Sequence, residues 1–286
     1  MTEPVSIGLA WRQVRDKFRE AGIDTAELDA RLLAQHAFGI DSMGLVRRER
    51  EVMTPEATAR LQSLAQRRLV GEPVSRITGE KEFWSLKFAV NEATLVPRPE
   101  TETLVAEAVA FLESRKSQRF LDLGTGSGAI AVSLAVAMPR TSGIATDIST
   151  AAIEAAKINA ERHGVTSRIE FKQGSWWQAF PHTEMFDLIV SNPPYIATEQ
   201  IEGLSKEVRI FDPRLALDGG WDGVEAYRAI AAQAARRLYR GGVCMLEIGF
   251  NQGEVVQKMF LRAGFGAAEI IKDLQGLDRV VIASHS

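Results

Sequence analysis

The sequence contains very little cysteine and histidine, and this excludes two common ways of stabilising a fold. Of its 286 residues, one is cysteine and four are histidine. A single cysteine, Cys244, cannot form a disulfide within the chain, and the histidines at 36, 163, 182 and 285 lack the spacing of zinc ligands. We therefore expect no structural disulfide and no metal, and we expect Cys244 to be a buried, small apolar residue.

The chain also lacks long apolar stretches and a strong charge of either sign. No run approaches the ~18 apolar residues that a membrane-spanning helix needs, and the first residues do not form a secretory signal. The net charge of −3 provides no large field to attract nucleic acid as the main substrate. With 45% hydrophobic and 25% charged residues, the composition predicts a cytoplasmic protein with one large domain, or a medium-sized domain with a smaller attachment.

Three segments differ in the periodicity of their apolar residues. Residues 1–76 show helical spacing, for example at positions 28, 32, 33 and 38, and they predict a small all-helical domain. Residues 77–96 contain the glycine, proline and β-branched residues of a linker that enters a β-hairpin. From 97 to 286, strand-like and helix-like segments alternate, which predicts a parallel sheet covered by helices on both faces.

The boundaries within the last segment follow from its turn residues. We predict a helix from 99 to 113, a long loop from 196 to 222, a helix over 224–239 and two closing strands. Ligands of such sheets bind beyond the carboxyl ends of the strands.

A glycine-rich segment, Asp122-Leu-Gly-Thr-Gly-Ser-Gly128, follows one predicted strand and opens a helix. Glycines let the backbone turn sharply and approach a ligand, while the helix N-terminus offers free N–H groups. The dinucleotide fingerprint would need glycine at position 129, where this chain has alanine, and no P-loop lysine follows. Asp147 ends the next strand, where a carboxylate can bind both ribose hydroxyls. Together, the glycine-rich segment and Asp147 predict a nucleoside cofactor rather than a tight turn with an acid at a helix N-terminus.

The sequence Asn192-Pro193-Pro194-Tyr195 stands at the end of an apolar strand, 186–191. Both prolines have a fixed φ and no N–H, so they form a rigid rim that exposes carbonyl groups. The Asn192 side-chain oxygen and the Pro193 carbonyl can together hold an –NH2 group by both its hydrogens. Tyr195 supplies a flat face for a planar amide or a base. Behind a glycine-rich cofactor loop, this interpretation is favoured over a purely structural turn.

These motifs resemble those of the S-adenosylmethionine-dependent amino-methyltransferases that act on adenine N6 or on protein glutamine. Further segments resemble one branch, the PrmC/HemK family of glutamine methyltransferases for peptide chain release factors. They are PRPETE (97–102), SNPPYI (191–196), EVRIFDPRLALDGGWDG (207–223) and LEIGFNQGE (246–254), behind a helical N-terminal domain. The resemblance covers essentially the whole chain, and it implies a Rossmann-like, seven-stranded α/β methyltransferase sheet with a connecting β-hairpin.

The resemblance also implies roles for individual residues. Asn192, Pro193 and Tyr195 would be catalytic, and with Pro194 they would hold the glutamine of the Gly-Gly-Gln motif of class-1 release factors. Trp176 would pack near the adenine of the cofactor; related sequences often carry an acid before it, where this chain has Ser175. The cofactor-binding set would be Asp122, Gly124, Thr125, Gly126, Ser127, Gly128, Asp147, Trp176 and Asn192. The protein would act as a monomer, with the helical domain recognising the release factor.

The sequence leaves open the substrate and the roles of three further residues. The same pocket suits the exocyclic amine of adenine, although a DNA enzyme must flip the base and usually carries a basic recognition region. The chain could also methylate a glutamine of a ribosomal protein, or serve as a binding module without catalysis. Arg98 suits either the cofactor carboxylate or a surface salt bridge, Glu247 either the site or a structural hydrogen bond, and Trp177 is expected to pack.

Overall fold

The computed structural model describes residues 5–115, 118–179, 181 and 183–285. The chain divides into two compact units, Met1–Gly79 and Glu80–Ser286. The first four residues of the predicted helical domain, and one of the four histidines, His182, lie outside the described residues. The hairpin that follows the helical segment is grouped with the second unit.

The first unit consists of helices: α1 (Ile7–Glu20), α2 (Ala26–Phe38), α3 (Ser42–Arg47), α4 (Pro55–Leu69) and α5 (Val74–Thr78). Ser6 caps α1 by accepting the N–H of Leu9, and Thr54 caps α4 by accepting that of Ala57, which satisfies donors that a helix start leaves free. The buried Asp29 of α2 pairs with Arg68 of α4 at 2.7 Å. Two caps and a buried ion pair therefore fix the bundle around its apolar core.

The apolar face of α2 differs in part from the one predicted. Leu33 is fully buried, but the side chains of Leu28 and Leu32 are 57% and 38% exposed. The buried face of α2 consists instead mainly of small residues, including Ala30, Ala34 and Ala37, which let neighbouring helices approach closely. Helical spacing alone does not distinguish such an alanine stripe from the leucines beside it.

The second unit begins with a hairpin and continues as an α/β sheet. Its strands are β1 (Glu80–Phe83), β2 (Leu86–Ala89), β3 (Arg119–Leu123), β4 (Ser142–Asp147), β5 (Ile169–Gln173), β6 (Phe186–Ser191), β7 (Leu238–Glu247), β8 (Ala267–Lys272) and β9 (Asp278–Ser284). Its helices are α6 (Thr101–Glu113), α7 (Ala129–Ala137), α8 (Thr150–Arg162), α9 (Lys206–Phe211), α10 (Arg214–Leu217), α11 (Glu225–Ala234) and α12 (Gly253–Arg262). Within the described residues, no helix is long and apolar enough to cross a membrane.

The main sheet has seven strands in the order β5-β4-β3-β6-β7-β9-β8, and it is mixed rather than wholly parallel. Strands β3 to β7 pair in parallel, whereas β9 is antiparallel to both β7 and β8. The expectation of a parallel sheet was therefore wrong for the last strand. Only residues 273–277 connect β8 to β9, and a connection this short permits a hairpin but no parallel crossover.

Two other boundaries differ from those predicted. The segment 196–222 contains α9, α10 and a 3-10 helix, Thr198–Gly203, because helices this short carry no recognisable apolar stripe. The helix predicted over 224–239 ends at Ala234, and a single 3-10 turn leads into β7 at Leu238, which pairs with Phe186 of β6. Pairing with β6 thus starts the strand earlier than the apolar run in the sequence indicates.

Apolar cores on both faces of the sheet hold the strands in place. One core joins α6, α7 and the hairpin to one face and includes Phe88, Leu104 and Phe120. The other joins α11 and α12 to the opposite face and includes Tyr227 and Phe260. The sheet is therefore covered on both sides, and its strand ends are the positions where polar groups can reach a ligand.

Asn159 of α8 connects the hairpin to the glycine-rich segment. Its Nδ2 donates to the carbonyls of Ala89 (2.9 Å) and Ser127 (2.8 Å), and its Oδ1 accepts the N–H of Ala89 (2.7 Å). Asn159 is fully buried, so no water replaces these bonds if the side chain is removed.

We expect Asn159→Ala to lower the free energy of unfolding by about 1–3 kcal/mol, because it leaves buried backbone groups unpaired. Denaturation in urea measures the change. Lys157→Ala, at an exposed position of the same helix, is the matched control and should stay within about 0.5 kcal/mol of the parent. Equal stability of the two variants would contradict the role given to Asn159.

Candidate active site

A cavity of about 550 Å³ opens at the carboxyl ends of β3, β4 and β6. This volume falls within the range of roughly 300–1,000 Å³ that is typical of small-molecule sites. The strand order reverses here, since β4 and β5 extend the sheet on one side of β3 and β6 on the other. Open α/β sheets bind ligands at such a reversal. Of the predicted cofactor-binding residues, those that line the cavity are Gly124, Thr125, Gly126, Ser127, Asp147, Trp176 and Asn192.

The glycine-rich segment turns sharply between β3 and α7. Gly124, Gly126 and Gly128 all have positive φ, of 72°, 56° and 81°, a region that other residues rarely adopt. At Gly128 a Cβ atom would also lie 3.1 Å from the Cβ of Ala156, so this glycine allows α7 and α8 to pack closely. The turn places the backbone of the segment, rather than side chains, along the cavity.

Asp122 supports this turn from beneath, and it does not line the cavity. Its Oδ2 accepts the hydroxyl hydrogen of Thr125 at 2.7 Å, while Oδ1 has no hydrogen-bond partner among the described residues. Burial raises the pKa of the Asp122 carboxyl to about 7, because the hydrogen bond with Thr125 offsets only part of the lost hydration. The predicted role of Asp122 in direct cofactor binding stays a prediction.

Asp147 projects from the end of β4 into the cavity wall. Its Oδ2 accepts the N–H of Gly126 and its Oδ1 accepts that of Ser149, both at 2.9 Å. Burial raises the pKa of the carboxyl despite these bonds. Each carboxylate oxygen keeps a further lone pair, so a side chain held this firmly can still accept hydrogen bonds from a vicinal diol.

Two neighbouring tryptophans have different environments. Trp176, with φ of 46°, lines the cavity beside Ser175 and opposite Gly124. Trp177 is buried, and its indole N–H donates to the carbonyl of Ala229 at 2.8 Å. Trp177 therefore packs, as expected from the sequence, while Trp176 presents an aromatic surface to a ligand.

The Asn-Pro-Pro-Tyr segment borders the cavity at the end of β6. Asn192 and Pro194 line it, whereas Pro193 is buried and Tyr195 packs against the core that α11 covers. The Nδ2 of Asn192 donates to the hydroxyl oxygen of Thr101 at 3.1 Å, which leaves Oδ1 as the acceptor for a ligand. Burial, together with the nearby charge of Glu247, raises the pKa of Tyr195 to about 12, so this phenol stays protonated.

Gln252 holds three loops together around this segment. Its Nε2 donates to the carbonyls of Tyr195 (2.9 Å) and Gly223 (3.1 Å). Its Oε1 accepts the N–H of Gly249 at 3.0 Å and the hydroxyl of Tyr227 at 3.3 Å. All four hydrogen-bonding positions of the amide are thus used. Sequence reasoning placed Gln252 in a family segment without a role, because its partners are distant in sequence.

Arg98 and Glu247, the two candidates left open by the sequence, have defined partners. Arg98 lines the cavity and forms an ion pair with Asp212, whose side chain is 3% exposed. Glu247, at the end of β7, is 1% exposed, and its pKa is raised by burial and lowered in part by hydrogen bonding from Thr101 and Asn192. Glu247 therefore belongs to the polar groups behind the cavity wall. The sequence indicated one neighbour of Glu247 in advance, because Thr101 falls within PRPETE (97–102), one of the segments that resemble the family.

The wall fits an adenosine-type sulfonium cofactor. Asp147 suits a ribose diol, Trp176 a flat base, and the glycine-rich backbone and Arg98 suit a polar amino-acid portion. Among residues 5–115, 118–179, 181 and 183–285, no three potential ligands from His, Cys, Asp and Glu form a cluster that could hold a metal. Cys244 is buried in the core, and its thiol pKa is raised by burial.

Gly219 allows the Asn-Pro-Pro-Tyr segment to approach the neighbouring loop. A Cβ atom at Gly219 would lie 2.8 Å from the Pro194 carbonyl oxygen and 2.8 Å from the Tyr195 Cα. Contacts this short would force the backbone of the segment to move. We expect Gly219→Ala to lower kcat about ten- to hundredfold, since small displacements of positioning groups have effects of this size.

The matched control is Gly203→Ala, where an added Cβ meets nothing within 4 Å. Steady-state kinetics should give a low kcat for Gly219→Ala and a normal kcat for the control, with binding of the adenosine-type cofactor, measured by calorimetry, largely retained in both. A normal kcat in Gly219→Ala would show that the close approach is unimportant.

Comparison with known proteins agrees with this geometry. Residues 10–79 match the PrmC N-terminal domain and residues 103–211 the methyltransferase small domain. Among solved structures, the hMettl16 catalytic domain (TM-score 0.57, 18% identity, 80% of this chain and 81% of that one) shares the fold. So does a methyltransferase from Pyrococcus furiosus (TM-score 0.53, 20% identity, 78% of this chain and 98% of that one). The Rossmann-like methyltransferase fold expected from the sequence is confirmed, and S-adenosylmethionine is the cofactor of this class.

Relatives of known name extend over nearly the whole chain. A release factor glutamine methyltransferase from Cereibacter sphaeroides is 44% identical over 274 residues, covering 96% of each chain. The proteins of the same name from Bradyrhizobium diazoefficiens and Caulobacter vibrioides are 44% and 40% identical, and the alignments cover 97% and 96% of this chain and 94% of each of those proteins. The chain belongs to the family of release factor glutamine methyltransferases.

Proposed function

We propose that this protein transfers a methyl group from S-adenosylmethionine to the side-chain amide nitrogen, N5, of the glutamine in the Gly-Gly-Gln motif of class-1 release factors. The modification would modulate translation termination. The observation that carries the proposal is the Asn192 amide, which lines the cavity beside the glycine-rich segment and whose Nδ2 is engaged by Thr101. Its free acceptor suits a substrate –NH2 group, and the names of the family relatives specify a release factor glutamine as their substrate.

The chemical task of the site is to orient a weak nucleophile. An amide nitrogen is a poor nucleophile because its lone pair is delocalised into the carbonyl group. Asn192 Oδ1 and the Pro193 carbonyl would accept the two hydrogens of the substrate amide and favour the positive charge that develops on its nitrogen. A general base is not obligatory, since the proton can leave the nitrogen after it has become acidic.

The cofactor contributes the reactive group and the protein holds it. When bound, S-adenosylmethionine supplies a methyl group that is already activated on a sulfonium sulfur. Asp147 would bind the ribose hydroxyls, Trp176 would pack against the adenine, and the segment 124–128 would enclose the methionine and ribose portions. Ser175 would offer the adenine amino group a weaker acceptor than a carboxylate. Pro194 and Tyr195 would flank the glutamine side chain.

The remaining expectations concern the setting of the reaction. We propose that the protein acts as a monomer in the cytoplasm, on protein rather than on nucleic acid. The net charge of −3 supports this choice, because DNA enzymes of this type need basic surfaces to bind and flip a base.

Transfer of label from S-adenosylmethionine to three purified acceptors tests the substrate. We expect label in a class-1 release factor, and none in its Gly-Gly-Gln→Gly-Gly-Ala variant or in unmethylated DNA. Label in DNA alone would reassign the pocket to adenine, and label in neither would direct the search to ribosomal proteins. The Asn192→Ala variant controls for the site: it should lose turnover by about a hundredfold or more while it still binds S-adenosylhomocysteine.

We propose that the helical unit recognises the folded release factor. Its support is the match to the PrmC N-terminal domain and the exposure of Leu28 and Leu32, one turn apart on α2. Exposed leucines on one helix face suit an apolar contact with a protein partner.

The double variant Leu28→Gln/Leu32→Gln tests this role. We expect the KM for the intact release factor to rise about tenfold, because two apolar contacts worth roughly 1 kcal/mol or more are lost, and the KM for a short Gly-Gly-Gln peptide to stay unchanged. Gln suits a helix as well as Leu does, so folding should be preserved. An unchanged KM for the intact factor would place the recognition surface elsewhere.

A further inference from the structure

Three side chains from distant parts of the sequence meet at the cavity wall, where Thr101 and Asn192 line the cavity and Glu247 lies behind them. Thr101 begins α6, Asn192 follows β6, and Glu247 ends β7. Thr101 is 4% exposed and Glu247 1% exposed, so water has little access to either. One oxygen of the Glu247 carboxyl, Oε2, has no hydrogen-bond partner among the described residues. A carboxyl group retained in such a place without full compensation is costly, which calls for a reason beyond packing.

The hydrogen bonds in this group have a direction that the carboxylate determines. An ionised carboxylate can only accept hydrogen bonds, and the side chains of Thr101 and Asn192 both lower the pKa of Glu247 in the way that hydrogen-bond donors do. The Thr101 oxygen accepts from Asn192 Nδ2 at 3.1 Å, which leaves the hydrogen of the Thr101 hydroxyl for the neighbouring carboxylate. Both partners draw the –NH2 end of the Asn192 amide away from the cavity, and the carbonyl oxygen is the end that remains for a ligand.

We propose that Glu247 is a positioning residue for methyl transfer: with Thr101, its carboxylate fixes the Asn192 amide so that Oδ1, rather than Nδ2, meets the –NH2 group of the substrate. The inference rests on the proposed function, because the proposed function makes the methylated group an –NH2 group, which donates hydrogen bonds. A flipped Asn192 would present its own –NH2 group to the substrate –NH2 group. Both groups are hydrogen-bond donors, so no hydrogen bond could form between them. Glu247 thereby selects for an amide nitrogen that carries hydrogens.

The protonation of Glu247 should control this polarity. Burial raises the pKa of the carboxyl to about 7, offset in part by Thr101 and by the charge of Arg279, while Glu100 raises it further. The other titratable groups that face it are the phenols of Tyr195 and Tyr227, whose own pKa values are raised by burial. Protonated Glu247 can donate a hydrogen to Thr101 or Asn192 and then no longer dictates which end of the amide faces the cavity. Turnover should therefore rise with pH through about 7.

The variants Glu247→Gln and Thr101→Val test the proposal in the full-length protein with the release factor as substrate. Glutamine keeps the size of the side chain but can donate, so we expect kcat to fall about tenfold or more, with binding of S-adenosylhomocysteine unchanged. The rise of kcat with pH near 7 should disappear in Glu247→Gln. Thr101→Val should lower kcat in the same way, and Thr101→Ser should recover most of that loss because it restores the hydroxyl.

The matched control is Glu254→Gln, which neutralises an exposed carboxylate paired with Lys258 and should leave both kcat and its pH profile unchanged. Glu247→Gln keeps the volume of the side chain while it removes a buried charge, and thermal unfolding of the variant measures whether the fold is retained. If Glu247→Gln keeps the parent kcat and pH profile, the group is structural and the inference is wrong. If instead the parent protein fails to methylate the release factor, the proposed function itself is wrong.

Discussion

The site depends on the way in which parallel strands end together. Strands β3, β4 and β6 are neighbours in the sheet, so the residues that follow them meet at one edge although up to about 70 positions separate them in sequence. The reversal of strand order at β3 opens a gap between the helices there, and the cavity occupies it. The glycine-rich turn, Asp147 and Asn192 need no special folding of their own to converge, because the sheet brings them together.

Buried amide and carboxyl side chains then fix the loops that follow these strands. Asn159 and Gln252 each bond to two or three backbone segments, with three and four hydrogen bonds to their amides. Asp122 and Glu247 differ, since each keeps one buried oxygen without a partner among the described residues and has a pKa raised to about 7 by burial. The two amides give rigidity, whereas the two carboxyls are sensitive to charge and lie next to the residues that would bind cofactor and substrate.

The prediction from sequence succeeded where local pattern and local chemistry coincide. The β3 strand and the glycines of positive φ both depend on residues within a few positions of one another. It failed where the outcome depends on distant partners. The antiparallel β9 results from the short connection to β8 and from its insertion beside β7, and the early start of β7 results from pairing with Phe186.

The sequence by itself determined the class of fold, the family and the residues that form the glycine-rich turn and the Asn-Pro-Pro-Tyr segment. Motifs carry this information because they record backbone constraints, such as positive φ or a missing N–H, that few residue types satisfy. Only the tertiary structure decided that Gln252 binds three loops, that Arg98 pairs with Asp212, and that Glu247 lies behind Thr101 and Asn192. The direction of a hydrogen bond depends on which donors and acceptors meet in space, and no local pattern in the chain specifies that meeting.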